Sequence, residues 1–517
     1  MPSKKFSPEQ KEFIRKTLEE NSSRLEAQRL IGERYGKSMR TVRNWIKMID
    51  EDISKSPEKD PIIEAAKVKE IKGKITFVSW AQESTPAHKG FMKNLEAYAA
   101  HHGAELAIIA GRYQNPTSIF KNPDELNWWD PLVIPHLTLN RHNIHPYVSV
   151  LSDVKVLPTA MNPMSGFEGF EGEVSLILGH PRVQFKVVPS LEGYRKKEIW
   201  TTGSCTVMNY TDSKAGKKGE FHHTIGFAIV ENDGDDFYIR QVTADENGDF
   251  IDLNYGVADG VVTQGDDLVG VYCCGDKHFG ETDMHMEMAG RGMIEKLKPE
   301  YVRLDDAFNG HSISHHEKKN PVQLYNRYAG GESLLGEELR LLKNSLDWYN
   351  KGDFKVIIPR CNHDDFFDRY IASQDWKKDI PNALEYIEAT AILLKGDAPK
   401  GLIPYYIGQW YPDMITLGED ESFIVYEFEQ SVHGHLGANG SRGSVVQYRR
   451  LSTKMVTMHT HSPSRYDGVL TGGTNTMLRL GYTKGPSSWS HCDILVHKNG
   501  KGQHLMFHNY KCTTFKI

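Results

Sequence analysis

Five short groups of histidine, aspartate and asparagine recur between residues 276 and 461, each just after an apolar run of strand length. Asp276-Lys277-His278 follows "DDLVGVYCCG", and Asp305-Asp306 follows "PEYVRL". Asn362-His363-Asp364 follows "FKVIIPRC", His433-Gly434-His435 follows "ESFIVYEFEQSV", and His459-Thr460-His461 follows "STKMVTM". One Asp-x-His pair is usually a satisfied polar strand end, so the weight rests on the ordered series. Imidazole nitrogen with carboxylate or amide oxygen suits manganese, iron or zinc without any thiolate. Two ions roughly 3.5–4 Å apart need a shared anionic ligand, a role for one aspartate. Water between two such ions ionises near neutral pH and can attack phosphorus, while the ions clamp the phosphate oxygens.

The ordered set resembles the calcineurin-like metallophosphoesterases, whose pattern is DxH, GDxxD, GNHD, a lone His and GHxH, and within them the Mre-eleven-like nuclease branch. The resemblance covers about residues 266–517. It implies a four-layer αββα sandwich with two divalent ions at the strand carboxyl ends, Mn2+ first, with Fe, Zn or Mg as alternatives. Asp276, His278 and His461 would hold one ion, Asp306 would bridge, and Asn362, His433 and His459 would hold the other. His363 would act off the metals on the transition state or the leaving oxygen, with Asp364 orienting it. The family glycines are replaced by Asp305, Cys361 and Met458. Asp306 is preferred to Asp305 as the bridge because "DAFN" then overlays DxxD, with Asn309 last. His433 is preferred to His435, and both choices stay open. Arg442 in "GANGSRG" is a candidate phosphate clamp, and His315 and His316 in "SISHHEKK" are weaker ones.

These groups need strands to position them, and the chain supplies them in parts. Residues 263–517 form the expected catalytic domain. Residues 73–262 read as an accessory α/β domain. In it "KITFVSW", a helix started by Thr85-Pro86 and stopped by Gly103, and "AELAIIA" make a βαβ unit, and a β-meander follows through Asp-Gly and Asn-Gly turns. "DENGDF" is a hairpin turn rather than a calcium loop, because Phe250 stands where that loop needs glycine. Gln82, His88 and Lys89 after the first strand read as structural. Residues 51–72, charged and carrying two prolines, read as a linker with some helix.

Residues 1–50 read as a small all-α domain. Ser7-Pro8 starts a helix with Phe13, Ile14 and Leu18 inward, and a second helix carries Leu25, Ala27, Leu30 and Ile31. After "YGKS", Ser38 caps a third helix that packs through Met39, Val42, Trp45, Ile46 and Ile49. Arg40, Arg43, Asn44 and Lys47 then face outward, which is helix-turn-helix geometry for DNA. This stretch holds 12 Lys+Arg against 7 Asp+Glu, while the 517-residue chain has a net charge of -6. The bland reading is a three-helix interaction module.

The six cysteines show no CxxC pairing, mean hydropathy is -0.51, and neither a signal segment nor a membrane span is legible. A cytoplasmic protein is expected, and a homo-oligomer is compatible with this composition. The function expected is metal-dependent hydrolysis of DNA through a two-metal-activated hydroxide, localised by the N-terminal helices. The two-part design also resembles phage-encoded proteins, implying host DNA as substrate. One alternative is a phosphomonoesterase or small-nucleotide phosphodiesterase. Another is a DNA-binding regulator whose phosphoesterase domain is inactive.

Overall fold

The computed structural model describes residues 6–20, 24–53, 61–118, 120, 128–314, 320–480 and 483–517. The chain divides into two compact units, residues 1–65 and 66–517.

In the first unit, helices Pro8–Glu20, Arg24–Tyr35 and Met39–Ile53 enclose Ile14, Ile31, Val42 and Ile46, with Phe13, Leu18, Tyr35 and Trp45 packed around them. Ser7 and Gln10 form a reciprocal capping box: Gln10 N–H donates to Ser7 Oγ at 3.2 Å and Ser7 N–H to Gln10 Oε1 at 3.1 Å. Gly36 turns at φ 58°, and Ser38 Oγ caps the third helix by accepting from Thr41 N–H at 3.3 Å. Leu25, expected inside, is 66% exposed, because it sits in the first turn of its helix on the side away from Ile31. The third helix runs past residue 50, and Pro61–Val68 is helical within the stretch read as linker.

Residues 66–517 are mixed α/β, with several mixed sheets. A five-stranded sheet carries the expected βαβ unit: Ile75–Gln82 and Glu105–Gly111 pair in parallel, joined by helix Lys89–His102. That helix starts later than Thr85-Pro86, because His88 Nδ1 accepts the Phe91 N–H at 3.1 Å as its cap. Gln82 is also structural, its amide donating to the Asn209 carbonyl at 2.7 Å. The expected meander is split: Gly226–Asp233 and Asp236–Thr243 pair antiparallel within the five-stranded sheet, while Phe250–Asp252 and Tyr255–Ala258 join Val261–Gln264 in a separate antiparallel sheet.

Two further sheets position the five groups. In a six-stranded sheet, Val269–Cys273, Tyr301–Arg303, Lys355–Ile358 and Ile415–Thr416 lie parallel, and Cys492–His497 and Gly502–Met506 continue antiparallel. A ten-stranded sheet contains Phe428–Glu429 and Lys454–Thr457, and also strands from 141 to 201. The regions 73–262 and 263–517 therefore share a sheet. Val271, Cys273 and Ile357 of the first sheet and Val456 and Leu470 of the second belong to one apolar core. At roughly 25 cal/mol per Å2 of buried apolar surface, each such side chain contributes about 1.5–3 kcal/mol. That shared core fixes the strand ends from which the polar groups project. Among the described residues no helix is long and apolar enough to cross a membrane.

Candidate metal centre

Parallel pairing brings the ends of neighbouring strands side by side. Beyond Cys273 and Arg303 the two loops keep pairing: Lys277 N–H donates to the Asp305 carbonyl at 3.0 Å, His278 N–H to Asp306 at 2.7 Å and Phe279 N–H to Ala307 at 3.2 Å. This extended register turns Asp276 and His278 to one side, while the intervening Lys277 reaches the other way to Glu287 at 2.7 Å. His278, Asp306, His459 and His461 adopt φ of 39°, 42°, 70° and 54°. Left-handed backbone costs a non-glycine residue of order 1–2 kcal/mol, and such strain gathers where function over-determines the conformation.

Their side chains converge, with donor atoms within 4.8 Å of one another in each of three overlapping sets. Asp276, His278 and His461 make one, Asp306, His433 and His459 the second, and His278, Asp306 and His363 the third. Asp306 thus belongs to two sets. His461 Nε2 lies 2.9 Å from Asp276 Oδ2, and His278 Nε2 lies 3.6 Å from Asp306 Oδ2. His433 Nε2 is 3.1 Å from Asp306 Oδ2 and 3.0 Å from Asn362 Oδ1, and His459 Nδ1 is 3.0 Å from the same amide oxygen. Asn362 therefore joins the second set, on the side of the site reached by His433 and His459.

The donor set fits divalent cations. Asp276 Oδ1 and Asp306 Oδ1 are buried and have no hydrogen-bond partner among the described residues, as do His278 Nδ1 and His461 Nδ1. Two imidazole nitrogens, His278 Nε2 and His461 Nε2, face each other at 3.3 Å. Buried polar atoms left like this cost about 1–3 kcal/mol each, and a cation shared among them removes that cost. Burial holds the nearby Cys361 thiol well above its ordinary pKa, and Cys361 forms a further donor set with Asp305 and His433 beside the nitrogen and oxygen sets.

The charges are strongly coupled. Burial alone would raise the Asp306 carboxyl, but the imidazoles of His433, His363 and His278 more than reverse this and hold it well below the usual carboxylate range. Burial lowers His433, yet the Asp306 and Asp305 carboxylates carry it well above the usual imidazole value. Asp276 is raised by burial, and His278 is pushed far down by burial and by His363.

Asp305 stands where the resembled family has glycine, and it is already occupied. Arg303, fully buried, donates Nε and one Nη to its two oxygens at 2.7 and 2.8 Å. The remaining Arg303 donors reach the Val456 and Val432 carbonyls at 3.0 Å each. Asp305 Oδ1 also accepts from His433 Nδ1 at 3.0 Å, which turns Nε2 toward Asp306 and Asn362. This geometry favours Asp306 over Asp305 as the shared acid. The other two departures also have work: Cys361 Sγ accepts the Asp306 N–H at 3.1 Å, and Met458 packs fully buried where a Cβ on Gly472 would meet its sulfur at 2.2 Å.

One expected role is corrected. Asp364 does not orient His363. Its place in the first turn of helix Asp364–Ser373 folds the carboxylate back to accept Cys361 N–H at 2.9 Å. Burial raises that carboxyl to about 8. His363 is instead held through Nδ1 by the Asn309 carbonyl at 2.6 Å. His435 lies beside the centre, its ring 5.5 Å from that of His433, without joining the sets that contain Asp306. Arg442 is exposed on the loop closed by Gly443 N–H to the His435 carbonyl at 2.9 Å. His315 and His316 lie outside the described residues. Arg40, Arg43, Asn44 and Lys47 are all exposed on the third helix of the first unit.

Sequence reading missed Arg303, Asp305 as its partner, and the Asn309 carbonyl. The first was detectable, since an arginine inside an apolar strand is almost never buried without a carboxylate.

No family model and no solved structure matches the chain. It is 31% identical over 465 residues to Protein A1 of Escherichia phage T5, across 85% of this chain and 83% of that protein. By identity of that extent the chain belongs to the family of phage T5 Protein A1.

Proposed function

We propose that this chain is a metal-dependent phosphodiesterase that hydrolyses DNA, built as a metallophosphoesterase αββα sandwich behind an N-terminal helix-turn-helix. The observation that carries the reading is that the buried Asp306 shares one donor set with His433 and His459 and another with His278, which itself belongs to the set of Asp276 and His461. Asp276, His278 and His461 would hold one divalent ion and Asn362, His433 and His459 the other, with manganese the first candidate. Bound there, the ions would supply Lewis acidity, lowering the pKa of water toward neutrality and offsetting charge on phosphate oxygens.

The protein's own groups do the rest. Asp305 fixes the His433 tautomer, and the buried Arg303 fixes Asp305. With Nδ1 tied to Asn309, His363 presents Nε2 to the centre, where a proton on that nitrogen can pass to the leaving oxygen. Arg442, exposed on the 435–443 loop, would be the phosphate clamp. The basic side chains Arg40, Arg43 and Lys47, with Asn44, would bring the enzyme to DNA. Kinship with a phage protein supports a phage-encoded enzyme, and host DNA in the host cytoplasm is the substrate proposed for it.

The test is plasmid cleavage with Mn2+, comparing the intact protein with Asp276→Ala and His363→Ala. Cleavage abolished by the first and reduced about a hundred- to ten-thousand-fold by the second is expected. Hydrolysis of a phosphomonoester without any DNA cleavage would replace this reading with a phosphatase.

A further inference from the structure

Beside the centre lies a cleft of about 600 Å3, lined by Tyr147, Tyr194, Tyr510, Arg195 and Lys196 among others. One residue of its wall is bonded to the backbone of the metal centre. Ser490 lines the cleft and donates its N–H to the His461 carbonyl at 3.1 Å, and the adjoining Trp489 ring packs 4.1 Å from the His461 ring.

The cleft offers part-exposed aromatic rings, Tyr510 being flanked by the His285 and His491 rings at 5.2 and 6.0 Å. Tyr194, Tyr510 and Tyr147 are 56%, 40% and 37% exposed. The Arg195 guanidinium lies 4.6 Å from the Tyr147 ring centre and 3.3 Å from Asp236, adding a planar cation to the same wall. Lys196 donates to the Ser487 carbonyl and Arg479 to the Gly485 carbonyl, so both are pinned to the segment that leads to Trp489. Neither has a carboxylate partner among the described residues. Burial and the charge of Arg479 hold the Lys196 ammonium below its ordinary pKa, as expected where two cations share a wall.

The acids of the cleft are engaged. Asp236 accepts from Asn509 at 2.6 Å besides pairing with Arg195, and Glu173 accepts the Arg195 backbone N–H at 3.1 Å. Among the lining charges Arg195 and Lys196 match Glu173 and Asp236, and Arg479, next to the lining Leu478 and near Lys196, adds one positive charge at the edge. A duplex hides its base faces inside the stack, so only an unpaired strand can use exposed tyrosine rings together with nearby cations.

We propose that this cleft binds single-stranded DNA beside the metal centre, bases stacking on Tyr194 and Tyr510 and phosphates meeting Lys196 and Arg479. It rests on the phosphodiesterase reading for its role and specifies the substrate as an unpaired strand.

The test uses the full chain and a fluorescent oligothymidylate in EDTA, read by anisotropy. Tyr194→Ala/Tyr510→Ala and Lys196→Gln/Arg479→Gln should each weaken binding roughly tenfold or more, the size of losing one stacked base or a phosphate pair. Both should weaken a duplex of equal length much less, and leave Mn2+-dependent hydrolysis of bis(p-nitrophenyl) phosphate unchanged. In the unaltered protein, an iodouracil-bearing oligonucleotide should photo-crosslink within residues 190–196 or 506–511. Wild-type affinity in both variants, equal losses for duplex and single strand, or crosslinks confined to other segments would each overturn the proposal. Crosslinks as expected with no diester hydrolysis by the unaltered protein would instead remove the phosphodiesterase reading and leave the binding site standing.

Discussion

Replacing Asp305 with asparagine keeps the shape of the side chain and removes the charge that two buried cationic or proton-donating groups share. Arg303 loses the charged partner of its 2.7 and 2.8 Å bonds and is left with neutral acceptors, among them the Val456 and Val432 carbonyls and, at 3.5 Å, Gln430 Oε1. Breaking one side of a fully buried pair costs about 3–5 kcal/mol, because the remaining charge is left uncompensated. His433 still finds an oxygen at its Nδ1, but a neutral one, and loss of such an orienting carboxylate typically weakens metal binding 10–100-fold. The two effects separate experimentally. Denaturant unfolding in EDTA reads the first, and calorimetric titration of the ion-free protein with Mn2+ reads the second. Arg303→Met in the Asp305→Asn background should cost far less stability than Arg303→Met alone, since the pair acts as a unit. Wild-type Mn2+ affinity in Asp305→Asn, with stability lost, would reduce Asp305 to a counter-ion for Arg303 and refute its part in positioning His433.

Asp276→Asn should bind one fewer Mn2+ per chain than the intact protein by elemental analysis, and an unchanged count would place the ion elsewhere. His459 sits at φ 70°, so His459→Gly should be about 1 kcal/mol more stable in EDTA than His459→Ala; equal stabilities would mean that the turn relaxes when the ring goes. Burial holds the imidazoles of His180 and His223 down at about 4. Between pH 6.5 and 4 the unfolded chain therefore takes up protons at both that the folded chain does not, and stability falls with pH by roughly 1.4 kcal/mol per unit for each. His180→Gln should flatten that slope by about one proton, and an unaltered slope would show that His180 titrates alike in both states.

The residue types of the buried clusters were legible because a cation site would fix residue chemistry and spacing together. Five groups placed just after apolar runs announced both the strands and the atoms they carry. The βαβ unit was equally visible, since period-2 and period-3.6 patterns alternate there with Gly103 as a left-handed stop. What stayed hidden were contacts made across long separations. Nothing local in "YVRLDD" says that Arg303 reaches the Val456 carbonyl, or that Asp305 meets a histidine 128 residues on. His363 is oriented by a backbone carbonyl, which has no residue type to read. The adjoining Asp364 suggested itself only because a helix start had not been placed between them. The joining of strands from 141–201 to those after 424 in one sheet was hidden for the same reason, because register between distant strands is set by packing rather than by either strand's own pattern.

The most direct test of the two-ion centre is anomalous diffraction at the manganese edge from crystals soaked in Mn2+. Two peaks are expected, one against Asp276, His278 and His461, the other against Asn362, His433 and His459, with Asp306 touching both. No peak there, or a single peak against Asp365, Glu419 and His435, would contradict the account.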